Sequence, residues 1–176
     1  MKIFGITGNK NTGKTHLIER VIEEIISRGL SVSTIKHAHH DTDIDSPGRD
    51  SYRHRTAGAK QVALSTKNRL AIMTELDNSI EISLQDIINA MDPVDIVLIE
   101  GYKTSEHPKI ETHRSISKKP LLALTNNTIQ AVMSDTPLLA IKLPVFDLNN
   151  TLEITNFILN KVGLNKIDLK TSKTHK

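Results

Sequence analysis

Residues 2–26 read "KIFGITGNKNTGKTHLIERVIEEII", and this stretch decides the fold. Lys2–Thr7 is a short run rich in β formers that stops at a glycine, which predicts a buried strand. Leu17, Ile18, Val21, Ile22, Ile25 and Ile26 then recur at helical spacing, and Gly29 supplies the stop. "SVSTIKH", residues 31–37, reads as a second strand. The chain therefore opens as a βαβ unit with parallel strands, and its strand-to-helix connection is the polar, glycine-bearing "GNKNTGKT" of Gly8 to Thr15.

That connection matches G-x-x-x-x-G-K-[ST], a loop that cradles phosphates. Backbone N–H groups of such a loop, and of the helix it opens, point at the anion. Gly8 and Gly13 allow backbone shapes and close approach that a Cβ blocks. Lys14 is expected to reach the β- and γ-phosphates, and Thr15 to bind Mg2+. The expected nucleotide-binding set is Gly8, Asn9, Lys10, Asn11, Thr12, Gly13, Lys14, Thr15 and His16. A metal held this way needs a second acid. "VDIVLIEG" is a continuous apolar strand in which Ile96 to Ile99 bring Glu100 to the C-terminal edge of the sheet, where open α/β sheets bind ligands. Asp95 starts that strand and belongs at the far edge. Lys103 follows Glu100 and is placed to meet phosphate or substrate.

"IKHAHHDTDID" brings Lys36, His37, His39, His40, Asp41, Asp43 and Asp45 just past a strand end. His37 and His39 have a spacing compatible with chelation, yet no fourth ligand follows at zinc-like spacing. The stretch reads as a phosphate-side loop, with Asp41 or Asp43 reaching magnesium or the attacking water, or as a solvated polar loop. The expected catalytic residues are Lys14, Asp41 and Glu100, and the expected metal ligands are Thr15, Glu100 and Asp41. A short helix from Asp50 to Ala57 puts Arg49 and Arg53 one turn apart, as an anion-binding face or a solvated one.

Further on, "QVALST" and "RLAIMTEL" read as strands, and Ser83 with Asp86 signals a capped helix to about Met91. "PLLALTNN", "QAVMSD" and "LPVFDLNN" read as three more short strands, and Leu152–Val162 as a closing helix. The expected architecture is one three-layer α/β P-loop domain over residues 1–163, a mostly parallel twisted sheet flanked by helices. A basic, solvated tail over residues 164–176 follows.

The 176 residues suffice for one domain with a substantial core. The absence of cysteine excludes disulfides, thiolate catalysis and Cys-based zinc sites. Aromatic residues make up only 3% of the chain and tryptophan is absent, which argues against nucleic-acid binding by base stacking. The net charge of +3 is only mildly basic. No apolar run is long enough to span a bilayer. The first residues enter a strand without a leader-type pattern, so the expected compartment is the cytoplasm, with neither membrane nor nucleic acid as partner.

Taken together, "GITGNKNTGKTHLIE", "VSTIKHAHHDTDIDSPGRDSYRHRTAGA", "DIVLIEGYK" and "PKIETHR" resemble the MobB family of molybdopterin-guanine dinucleotide biosynthesis proteins, from Lys2 to about Leu148. The resemblance implies a P-loop GTPase-like fold, a homodimer, and GTP bound with Mg2+ and hydrolysed slowly. It also implies an accessory role beside the MobA guanylyltransferase, which joins GMP to molybdopterin. On that pattern Gly8, Gly13, Lys14 and Thr15 carry the phosphates, and Glu100 is the acid of the second nucleotide-binding strand. The His37–Asp45 loop falls near the dimer-facing cleft, and Asn126 in "TNN" falls where base-recognising residues are placed. Asn9 and Lys10 depart from the small residues of the pattern, and Lys10 is one place off the signature lysine of deviant P-loop ATPases. Two other readings stand beside this one. A P-loop kinase for a small metabolite needs an arginine-bearing lid, for which Arg49–Arg55 is the candidate. A passive carrier of the pterin dinucleotide needs no chemistry at all. No catalytic glutamine or arginine finger is evident in cis, which favours slow turnover.

Overall fold

The computed structural model describes residues 1–38, 43–76, 82–139 and 141–164. Its elements, in chain order, are β1 (Lys2–Gly8), α1 (Lys14–Ser27), β2 (Val32–Lys36), α2 (Asp50–Thr56), β3 (Gln61–Ser65) and β4 (Leu70–Thr74). There follow α3 (Leu84–Asn89), β5 (Ile96–Glu100), β6 (Lys109–His113), β7 (Ile129–Ser134), β8 (Val145–Asp147) and α4 (Thr151–Val162). Contacts gather these elements into two compact units, one of Met1–His37 with the chain from Pro93 onward, the other of Ala38–Asp92. His39, His40, Asp41 and the expected basic tail beyond Leu164 lie outside the described residues.

The first unit carries a six-stranded sheet in the order β2-β5-β1-β6-β7-β8. Each of its pairings is parallel, so all strand C-termini lie along one edge. β1 sits between β5 and β6, and the loop that leaves it emerges mid-edge. The alternation of a strand sets which side chains face the helices. Phe4, Ile6, Ile96, Leu98, Ile110, Ala131 and Met133 join Leu17, Val21 and Ile25 of α1 and Ile154 and Ile158 of α4 in one buried cluster. Removing each such aliphatic side chain from water is worth roughly 1.5–3 kcal/mol. α1 ends where expected: Gly29 adopts φ +78 and the Leu30 N–H donates to Ile25 O at 3.3 Å. α4 begins on Asn150, whose side chain accepts from the Glu153 N–H at 3.2 Å, and stops at Gly163, φ +75.

The α/β P-loop architecture read from the sequence is the one observed, but three local expectations change. "PKIETH" forms β6, a buried central strand that its charged residues hid from a reading by hydropathy. "PLLALTNN" is not a strand; Leu122–Leu124 is a single 3-10 turn. Its Leu122 and Ala123 N–H groups donate to the two oxygens of Glu111 on β6, at 2.9 and 2.8 Å. "QVALST" and "RLAIMTEL" do form strands, yet β3 and β4 pair antiparallel as a hairpin of the second unit rather than joining the parallel sheet.

Within the second unit, Arg55 of α2 holds the fold together locally. Its guanidinium donates to Asp43 and Glu75, both at 2.8 Å, and lies 3.5 Å from Asp45. The paired carboxylates raise its already high affinity for a proton against the cost of burial. α3 is capped as the sequence indicates, the Ser83 Oγ accepting from the Asp86 N–H at 3.1 Å.

Candidate functional site

The phosphate loop is built to hold its shape without a ligand. A Cβ at Gly8, φ +142, would lie 2.5 Å from the Thr112 carbonyl of β6, so only glycine fits. Thr12 turns inward and is buried; its Oγ1 contacts Asn9 O at 2.8 Å and Thr112 Oγ1 at 2.6 Å. Asn9 is also buried, with Nδ2 3.5 Å from Pro120 O. The side chains of Asn9 and Thr12 therefore brace the loop against β6 and the segment beyond it. Asn11 adopts the left-handed conformation, φ +64, and Gly13, φ +93, leads into α1.

A cavity of about 470 Å3 opens above this loop, and its walls include Lys10, Asn11, Gly13, Lys14, Thr15 and His16. Lys14 folds back along the loop, its ammonium donating to Asn9 O at 2.7 Å and Gly8 O at 3.2 Å. Burial pushes its pKa down, Glu100 opposes that shift, and Lys103 and Lys36 add to it. His16 stays exposed and meets Glu19 at 3.2 Å.

β2 and β5 supply the far wall. Lys36 and Glu100 are register partners at the two strand ends, and both line the cavity. The Glu100 carboxylate is 15% exposed and lies 3.8 Å from the Lys36 ammonium. Gly101, φ +96, and Tyr102, φ +43, then turn the chain sharply, and the Tyr102 ring stacks on His37 at 4.4 Å. Asp95, at the opposite end of β5, is occupied by Ser31, accepting from its N–H at 2.7 Å and its Oγ at 2.6 Å. The structure thus brings the expected Lys10, Asn11, Gly13, Lys14, Thr15, His16, Lys36 and Glu100 to one cavity.

Asn126 lies elsewhere. It precedes β7, at the N-terminal end of a strand whose C-terminal end shares the edge with the phosphate loop. Its Nδ2 donates to Lys103 O at 2.8 Å, and its Oδ1 accepts from the Thr128 N–H at 3.0 Å and Oγ1 at 2.6 Å. Arg114 is the cavity residue that the sequence reading did not single out. Its Nη2 sits 3.4 Å from the point a Gly13 Cβ would occupy, so the guanidinium covers the start of α1. The available signal was its place one residue past "KIETH", but that strand went unrecognised.

Chemically, this is an anion site with one acid beside it. A helix N-terminus, Lys14, Lys36 and Arg114 offer positive charge, and Thr15 and Glu100 offer two oxygen ligands. No group of three or more His, Asp or Glu residues suited to a metal occurs among the described residues. That donor set fits Mg2+, which takes one or two protein oxygens and fills its shell with phosphate and water, better than zinc or calcium. No helix among the described residues is long and apolar enough to cross a membrane.

Comparison with known proteins agrees with this geometry. Residues 3–135 match the sequence model of MobB, molybdopterin guanine dinucleotide synthesis protein B. The chain is 40% identical over 160 residues to the molybdopterin-guanine dinucleotide biosynthesis adapter protein of Haemophilus influenzae, covering 90% of this chain and 88% of that one. It is 36% identical over 151 residues to the protein of the same name from Escherichia coli, covering 84% and 86%. The crystal structure of Bacillus subtilis MobB superposes with a TM-score of 0.76 at 25% identity, covering 92% of this chain and 98% of that one. With three quarters of its length inside the family match and the P-loop edge in place, the chain belongs to the MobB family.

Proposed function

We propose that this chain binds GTP with Mg2+ at the β1–α1 loop, hydrolyses it slowly, and acts as an adapter in molybdopterin-guanine dinucleotide biosynthesis. In that role it assists a MobA-type guanylyltransferase as a cytoplasmic homodimer. The observation that carries the reading is the convergence of Lys14, Thr15, Lys36 and Glu100 on one cavity above a preformed loop. The names of its relatives from Haemophilus influenzae and Escherichia coli support the adapter role. Thr15 and Glu100 would hold the metal, which supplies charge neutralisation between phosphate oxygens when bound. Lys14 would exchange its two loop carbonyls for phosphate oxygens, and Lys36 would leave Glu100 for the terminal phosphate. Slow turnover is supported by the surroundings of Arg55, whose guanidinium is already engaged by three carboxylates of its own unit. Calorimetric titration with GTP, with and without Mg2+, tests the proposal. Wild type is expected to bind more tightly with the metal, and Glu100→Gln to lose most of that difference while keeping metal-free affinity. Equal metal dependence in wild type and variant would remove Glu100 from the site.

A further inference from the structure

Between Glu100 and β6 the chain runs as a strap over residues 101–108, fastened along its length. At its start the Gly101 N–H donates to Ile6 O at 3.3 Å, and the Tyr102 ring stacks on His37. In its middle the Lys103 carbonyl accepts from Asn126 Nδ2 at 2.8 Å. At its end the buried Lys109 ammonium donates to Ser105 O and to His107 O, the latter at 2.9 Å, and the Gly5 N–H donates to Pro108 O at 2.8 Å. The middle fastening is itself braced. Asn126 Oδ1 accepts from the N–H and the Oγ–H of Thr128, which fixes the plane of the amide and aims Nδ2 at the strap. A bidentate contact to a base needs both the oxygen and the nitrogen of an asparagine, and here both lone pairs of the oxygen are taken.

The strap carries Lys103, an exposed residue three places past Glu100. Its charge reaches the phosphate loop. Burial is the largest cause of the lowered Lys14 pKa, and Glu100 opposes it. Of the two cations that add to the shift, Lys103 acts more strongly than Lys36, although Lys36 lines the cavity itself. A loop lysine serves the β- and γ-phosphates, so a second ammonium beside it meets the same end of a triphosphate. We propose that Lys103 is a further cation for the terminal phosphate of a magnesium nucleoside triphosphate, and that Asn126 is its positioning residue, acting through the strap. A lysine on loose backbone loses more freedom when it meets an anion than one whose carbonyl is already held. The proposal rests on the triphosphate reading of the loop.

The test titrates wild type, Lys103→Gln, Asn126→Ala, their double variant and Lys14→Ala with Mg-GTP, Mg-GDP, Mg-ATP and Mg-tripolyphosphate, and melts each sample. Lys103→Gln, a change at an exposed side chain, is expected to melt as wild type does and to lower the ratio of GTP to GDP affinity about tenfold, the loss of one charged hydrogen bond. Asn126→Ala is expected to lower the same ratio about fivefold, and to lower it no further when added to Lys103→Gln. A merely structural brace would weaken GTP and GDP alike, with and without Lys103. A GTP-to-GDP ratio indifferent to Lys103→Gln overturns the proposal, even if Asn126→Ala does not fold. A GTP-to-ATP ratio that moves in Asn126→Ala, with the GTP-to-GDP ratio unmoved, gives Asn126 to the base and overturns its positioning role. Tripolyphosphate that binds equally to wild type and Lys14→Ala overturns the loop reading and this proposal with it. Loss of tripolyphosphate in Lys14→Ala beside an unmoved ratio in Lys103→Gln overturns this proposal alone.

Discussion

Lys14 donates to its own loop carbonyls, so an incoming phosphate competes with acceptors already in place. Removing it deletes the loop cation that sits against the Gly8 and Asn9 carbonyls. Lys14→Ala is expected to lower GTP affinity at least a hundredfold with little change in melting temperature, because its ammonium braces no other element; calorimetry and a thermal melt on the same sample check both. His107 makes a different residue-scale case. It is buried against Gly5, neither ring nitrogen has a hydrogen-bond partner among the described residues, and burial with the nearby Lys109 charge lowers its pKa to about 4. The unfolded chain binds this proton near pH 6.5 and the folded chain does not. Stability is then complete above the unfolded value and falls as pH drops from 6.5 toward 4, by at most about 1.4 kcal/mol per pH unit for one proton. His107→Phe is expected to flatten that fall in melts taken between pH 7 and 4.5, and an unchanged slope would assign the loss to other groups.

At the scale of elements, β6 explains both what the sequence showed and what it hid. The phosphate loop, Glu100 and the helices were legible because their signals are local: a spaced motif, an apolar run ending in an acid, capping residues. β6 was not, since Lys109 and Glu111 alternate with Ile110 in a strand that is buried throughout its core positions. Glu111 is satisfied by the backbone N–H groups of Leu122 and Ala123, and Lys109 by nearby carbonyls and a threonine hydroxyl. The Lys109 ammonium donates to Ser105 O, to His107 O at 2.9 Å and to Thr128 Oγ1 at 3.1 Å, and burial lowers its pKa to about 8. The same Glu111 accounts for the misreading of "PLLALT", because its carboxylate takes the N–H groups that a strand there would have spent on a neighbour. Arg114 was lost with the strand it directly follows. Glu111→Ala leaves the Leu122 and Ala123 donors without that partner and is expected to cost roughly 1–2 kcal/mol, two half-buried donors at the low end of the 1–3 kcal/mol range for a buried one, less some solvent rescue. A denaturant midpoint shift with unchanged slope measures it; a shift under half that size would mean water replaces the carboxylate.

At the scale of the molecule, the hairpin of the second unit presents a cluster of exposed aliphatic side chains. Val62 and Met73 are buried, but Leu70 is 67% and Ile72 57% exposed, and Leu64 adds a third aliphatic. A two-stranded sheet is marginal by itself, and its open edges invite another strand. Among the described residues β3 and β4 pair only with each other. In the homodimer proposed above, a second copy of the chain would satisfy edge and side chains together, the same residues meeting across a twofold axis. Burial of exposed Leu and Ile drives such an association, and charge placed on that surface opposes it. Wild type is expected to sediment as a dimer, and Leu70→Glu with Ile72→Lys as a monomer at the same concentration. GTP affinity should stay near the wild-type value in the double variant, because Lys14, Thr15 and Glu100 all belong to the first unit. A variant that remains dimeric would move the interface off the hairpin. A monomer that no longer binds GTP would show that the partner copy completes the site.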